Sequence, residues 1–157
     1  MAYEVANLLR QSEIAHAFIE GDFLDHVHPA PEGDPHRTQI TARNLAAVWA
    51  NYREVGQRRL VYCNTVAVLE ADMITGAMGG PVTAVGALLT ATDATATARL
   101  GARETGSELE SHLERSARAA EFLDRKTPDW VHRVATDDRT VREVAEDVLA
   151  RTTWTGA

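Results

Sequence analysis

Along this chain, short continuous apolar runs alternate with stretches in which apolar residues recur every three or four positions, a pattern that predicts strands and helices in turn. Tyr3, Val5, Leu8 and Leu9 place a helix at the very start, with no Ser, Thr, Asp or Asn before Ala2 to cap it. His16 to Ile19 reads as a short strand running into Glu20-Gly21-Asp22, and the Pro-, Gly-, Asp- and His-rich segment 23–37 reads as a loop. A strong helical pattern from about Thr41 to Val55 puts Leu45, Val48, Trp49, Tyr52 and Val55 on one face, with Gly56 just beyond its end. Leu60 to Cys63 is a buried strand, Val66 to about Ile74 a weaker helix, and Gly76 to Pro81 a turn. Ala84 to Ala91 is too continuously apolar for a half-exposed strand, so it predicts a parallel strand buried on both faces.

Thr92-Asp93 then suits the N-cap of a helix that Gly106 breaks. Ser107-Glu108-Leu109-Glu110 restarts a second helix as a capping box, with Leu109, Leu113, Ala117 and Ala120 as its apolar stripe. His132 to Thr136 is a last strand. Thr140-Val141-Arg142-Glu143 caps a final helix that turns Val141, Val144, Ala145, Val148 and Leu149 inward. The alternation predicts an α/β fold, a three-layer parallel sheet with helices on both faces, in a single domain over 1–157 with a helical lid at about 93–125.

Length supports one sizeable core, since 157 residues suffice for a single domain. The net charge of -7 argues against a general affinity for nucleic acid or anionic lipid, each of which requires a basic surface. The single cysteine, Cys63, excludes an intramolecular disulfide and fits a reducing cytoplasm. No run approaches the ~20 apolar residues of a membrane span, and the first residues lack the order of a signal peptide, so a cytoplasmic protein is expected.

Candidate chemistry gathers at few places. Glu20 and Asp22, two apart on an extended backbone, point the same way, which suits holding Mg²⁺ through Asp22 or accepting a proton from a substrate hydroxyl. Arg99 and Arg103, joined by Arg115, leave helix faces where their guanidinium forks match the charge of a transferring phosphoryl group. A solvated helix face explains the same arginines, because Glu114 with Arg118 and Glu121 with Arg125 are surface i,i+4 pairs. His26, His28 and His36, near Asp22 and Asp25, suggest a metal-dependent alternative, although His-x-His in a loop is no zinc spacing. Gly76 to Pro81 lacks the Lys and Ser/Thr of a Walker A loop.

The order helix, strand with Glu20-Gly21-Asp22, helix, strand, LLTATDATATARLGARE and VATDDRTVREVAEDVL resembles the P-loop small-molecule kinases over nearly the whole chain. That group includes adenylyl-sulfate, shikimate and gluconate kinases and chloramphenicol phosphotransferase. The resemblance implies ATP- and Mg²⁺-dependent phosphoryl transfer to a small-molecule hydroxyl. By it, Glu20 and Asp22 match the acidic pair where substrate and magnesium meet, the usual first residue being Asp. Arg99 and Arg103 match the mobile lid, and Asp137, Asp138 and Arg139 match the loop against adenine, with Arg115 placed beside the cofactor.

The departure concerns the start. The family has a strand and G-x-x-x-x-G-K-[ST] immediately before a helix like AYEVANLLRQ, and neither is in this sequence. The resemblance therefore implies an N-terminally truncated kinase-like chain that neither binds ATP tightly nor hydrolyses it. It leads to the expectation that in-frame DNA upstream encodes a short apolar strand and that loop, about 15 to 20 residues in all. A non-catalytic ligand-binding or interaction module is the other reading. The absent strand would lie between those at Leu60 and Ala84, which must then pair directly, pair with another chain in a homodimer, or leave open edges.

Overall fold

The computed structural model describes residues 1–103 and 109–154, apart from the side chains of Arg103 and Leu109. The expected break at Gly106, the capping box at Ser107 and the side chain of Arg103 lie outside the described residues. The element order is α1 (Ala2–Gln11), β1 (Ala17–Glu20), α2 (Thr38–Glu54), β2 (Leu60–Cys63), α3 (Ala71–Met78), β3 (Ala87–Thr90), α4 (Asp93–Arg103), α5 (Leu109–Lys126), β4 (His132–Ala135) and α6 (Val141–Ala150). Short 3₁₀ turns cover Gly21–Phe23 and Ala67–Leu69. Among the described residues, no helix is long and apolar enough to cross a membrane.

Strands and helices alternate as the pattern predicts, but the described strands form two separate parallel pairs rather than one sheet. β1 pairs with β2, Ala17 opposite Leu60 and Glu20 opposite Cys63. β3 pairs with β4, Ala87 opposite His132 and Thr90 opposite Ala135. Between β2 and β3 there is no ladder. The two strands therefore do not pair directly, and their facing edges carry no ladder within the chain.

Several boundaries and faces move for local reasons. α2 starts three residues before Thr41 because the carboxylate of Asp34, six positions upstream, accepts from the Ile40 amide at 3.0 Å. Its N-cap, Arg37, is left-handed (φ 59°) and makes no side-chain cap. Val55, expected on the inner face, lies past the helix end and is 73% exposed. The segment from Val66 splits into the 3₁₀ turn and α3, which runs on to Met78. On α5, Ala117 and Ala120 are exposed and Leu123 is the buried residue, so the apolar stripe turns away from the expected line. Val141 at the first turn of α6 is 58% exposed, whereas Val144, Ala145 and Leu149 are buried as expected. The Thr140–Glu143 capping box is present, both reciprocal bonds formed.

One core joins the two strand pairs. Val5, Leu8 and Leu9 of α1 pack on Ala145 and Leu149 of α6, with Val61 of β2 against them. α1 and α6 run the same way, because Glu4 and Arg142, both in first turns, approach to 4.0 Å. Each helix runs back along its strand: Arg151, beyond the end of α6, reaches His132 at the start of β4. Arg59, at the start of β2, donates to the carbonyl of Ala15 just past α1. β2 and β4 therefore point in one direction, and with them all four strands. A second cluster, Ala17, Trp49 and Met78, seats α2 and α3 on the first pair.

Candidate active site

In an open parallel arrangement, ligands meet the protein beyond the carboxyl ends of the strands, where helix N-termini and loop side chains converge. Here β2, β3, α1, α3 and residues 151–154 line a half-open cavity of about 1590 Å³, and Glu20, Asp22, Cys63 and Asn64 line it at that end. Glu20 closes β1 and Asp22 sits in the tight turn that follows. The chain makes that turn because Gly21 is buried against Tyr62, where a side-chain carbon would collide with the phenol ring.

The two carboxylates are not equivalent. Glu20 Oε1 accepts from the Cys63 thiol at 3.1 Å, whereas Asp22 is exposed. Burial, then the Glu20 hydrogen bond and charge, push the Cys63 thiol up to about 12, so it is an inert donor and no nucleophile. Tyr62 is raised to about 12 by burial and by the charge of Glu70, with Asp22 and Asp25 adding to it. Glu70 is itself raised, first by burial and then by Asp25. Tyr62 and Asn64 thus line the cavity with the acidic pair, and Glu70 acts on Tyr62 through its charge; none of the three is among the expected site residues. The signal for Tyr62 and Asn64 is position alone, at the carboxyl end of β2.

The remaining candidates gather on the second strand pair. Arg99 donates to Thr136 Oγ1 at 2.8 Å and to the Thr136 carbonyl at 2.7 Å, which holds it over the carboxyl end of β4. Thr136 in turn bonds the Thr90 carbonyl, so Arg99 rests on a fixed platform. Both of these bonds go to neutral oxygens of Thr136. Asp137 accepts from the Thr92 amide at 2.9 Å and the Thr92 hydroxyl at 2.7 Å, capping the start of α4. Arg139 donates to the carbonyls of Ala135 and Glu143 and to Asp147, each at 3.0 Å. Asp137 and Arg139 are therefore engaged within the protein. Arg115 stands exposed on α5.

Hydrogen bonds from Thr95 and Thr92 hold Asp137 down at about 2, against an ordinary 3.8. A carboxylate depressed by folding stabilises above its unfolded pKa and loses that contribution as pH falls through the folded one. The Thr92 amide resonance is accordingly expected to titrate with a midpoint near 2, and a midpoint near 3.8 would show that the cap does not form.

The histidine loop is a separate place. Asp25, His26, Val27, His28 and Arg37 line a hollow of about 330 Å³, with the Arg37 Nε donating to the Val27 carbonyl at 3.1 Å. A guanidinium beside the two histidines opposes a metal cation there. Among the described residues no group of three or more His, Cys, Asp or Glu is placed to hold a metal ion. No family model matches this chain, and no curated protein or solved structure matches it significantly.

Proposed function

We propose that this chain carries the acceptor side of an ATP-dependent small-molecule kinase, a three-layer P-loop-type fold whose phosphate loop it lacks. The observation that carries the reading is the acidic pair at the carboxyl end of β1, with Asp22 exposed on the wall of the large cavity. In this reading Asp22 takes the proton of a substrate hydroxyl or holds Mg²⁺ through water, and Glu20 orients the pocket through Cys63. Arg99, held on Thr136 beyond the carboxyl end of β4 and not among the residues that line the cavity, is the cation this reading assigns to the phosphoryl group.

The residues present fit the acceptor and not the nucleotide. Gly76 to Pro81 offers no lysine or hydroxyl for a phosphate cradle, and Asp137 and Arg139 are engaged elsewhere. Binding without turnover is accordingly the second reading. Small hydroxyl compounds screened by thermal shift are expected to raise Tm, since a ligand at about 100 times its Kd stabilises by about 2.7 kcal/mol. Asp22→Asn should abolish that rise, and calorimetry with Mg-ATP should show no tight binding to the 157-residue chain. A rise untouched by Asp22→Asn, or micromolar affinity for ATP, would overturn the assignment.

A further inference from the structure

The segment between β1 and α2 builds a second hollow that shares no lining residue with the large cavity. Asp25, His26, Val27, His28 and Arg37 line its volume of about 330 Å³, at the lower end of the ~300–1,000 Å³ of small-molecule pockets. Arg37 organises it. Its backbone is left-handed (φ 59°), a conformation in which the Cβ of an ordinary residue is crowded. Bonds on both sides hold it there. The Arg37 amide donates to the Asp34 carbonyl at 3.0 Å, and the Arg37 carbonyl accepts from the Thr41 amide at 2.9 Å and the Thr41 hydroxyl at 2.8 Å. Glycine would meet that backbone requirement without strain and would serve as an N-cap, so what the position gains from arginine is the guanidinium.

That guanidinium is both aimed and available. Its Nε donates to the Val27 carbonyl at 3.1 Å, which fixes the group on the wall of the hollow. Neither terminal nitrogen has a hydrogen-bond or ion-pair partner among the described residues. With Nε engaged, the two terminal N–H groups form the end-on fork that fits two oxygens of a carboxylate or phosphate. His26 and His28 add imidazole donors to the same wall, and an edge contact with the Phe23 ring at 5.5 Å places His26. α2, 17 residues long, begins at the next position, so the positive end of its dipole has the same sign. Asp25 is the one acid of the lining. Among the described residues it forms no ion pair with Arg37, and its charge is felt at Glu70 and Tyr62.

We infer that this hollow is an oxyanion site, which takes the carboxylate or phosphate group of a small molecule on Arg37, His26 and His28. Metal binding is the competing use of two histidines beside an aspartate. The cationic fork opposes it, and no metal-holding group of three is present among the described residues. The inference does not depend on the phosphotransfer reading, since neither Asp22 nor the large cavity contributes a residue to the hollow.

The test is a titration of the 157-residue chain with inorganic phosphate and, separately, with acetate, at constant ionic strength and about pH 6, where imidazole is partly charged. NMR follows the ring resonances of His26 and His28, with His16 and His132 as internal controls. Saturable shifts confined to His26 and His28 are expected, with a dissociation constant on the order of 1 mM, the scale that two or three charge-assisted bonds supply. Saturation by both anions supports a site for either group, and saturation by phosphate alone narrows it to a phosphoryl group. Arg37→Gly should weaken binding at least about tenfold while Tm holds or rises, because glycine accepts the left-handed backbone without strain. His28→Gln keeps the Arg37–Val27 bond and should weaken binding about threefold or more, which leaves a second reading if the glycine variant folds poorly. Asp22→Asn should leave the titration unchanged, so failure of the acceptor reading and failure of this one are told apart. Linear shifts without saturation, or equal shifts at His16 and His132, would reduce the response to salt screening and overturn the site. Undiminished binding in Arg37→Gly would overturn it as well, as would saturation by Zn²⁺ with no response to either anion.

Discussion

In a form of the chain completed by a phosphate-binding strand and loop, Asp22→Asn lowers kcat by about 100-fold or more, equivalent to about 2.7 kcal/mol of transition-state stabilisation. Amide and carboxylate have the same shape, so the substitution removes only charge and basicity. Asp22 is exposed and the turn rests on Gly21 against Tyr62, so the melting temperature should hold. Loss of kcat at constant KM and constant Tm is the expected signature of a group acting on a proton or a metal. An unchanged kcat would remove Asp22 from the chemistry, and a parallel fall in Tm would make it structural. Glu20→Gln is the useful comparison, because Glu20 also accepts from Cys63 and its loss should disturb the pocket as well as the rate.

Leu9→Ala is expected to be the most damaging single change to the fold. Leu9 is 0% exposed and sits where α1 meets α6, among Val5, Leu8, Ala145 and Leu149. Truncating a buried leucine costs about 2–5 kcal/mol, because packing and transfer free energy are both lost and the void closes only partly. For a domain of this size that corresponds to a fall of roughly 4 to 20 °C in Tm, at about 2–4 °C per kcal/mol. α1 and α6 bridge the two strand pairs, which share no ladder, so this contact holds the cavity walls together. Val55→Ala, at an exposed position, should change stability by no more than about 0.5 kcal/mol. Equal effects of the two substitutions in thermal unfolding would show that the α1–α6 contact is not the joint between the pairs.

The sequence by itself determined the alternation of elements, the parallel sense of the pairing, the helix at the start of the chain and most of the buried face of α6. Each of these follows from local periodicity and from side chains within four residues of one another, as with the Thr140–Glu143 box. It also placed Glu20 and Asp22 at a strand end, since a strand followed by a polar turn is readable from composition. What tertiary structure alone decided depends on distance along the chain. The cap of α2 comes from Asp34, the start of α4 is held by Asp137 from 45 positions away, and Arg99 is committed to Thr136, 37 positions on. No periodicity encodes such partners, so the internal hydrogen bonds of Asp137 and Arg139 are visible only once those partners are placed in space. The division into two strand pairs is likewise tertiary: an apolar run states that a strand seeks cover on both faces, but not whether its edges find a neighbour. β2 and β3 were legible as strands, and the cavity between their facing edges was visible only once both were placed in space.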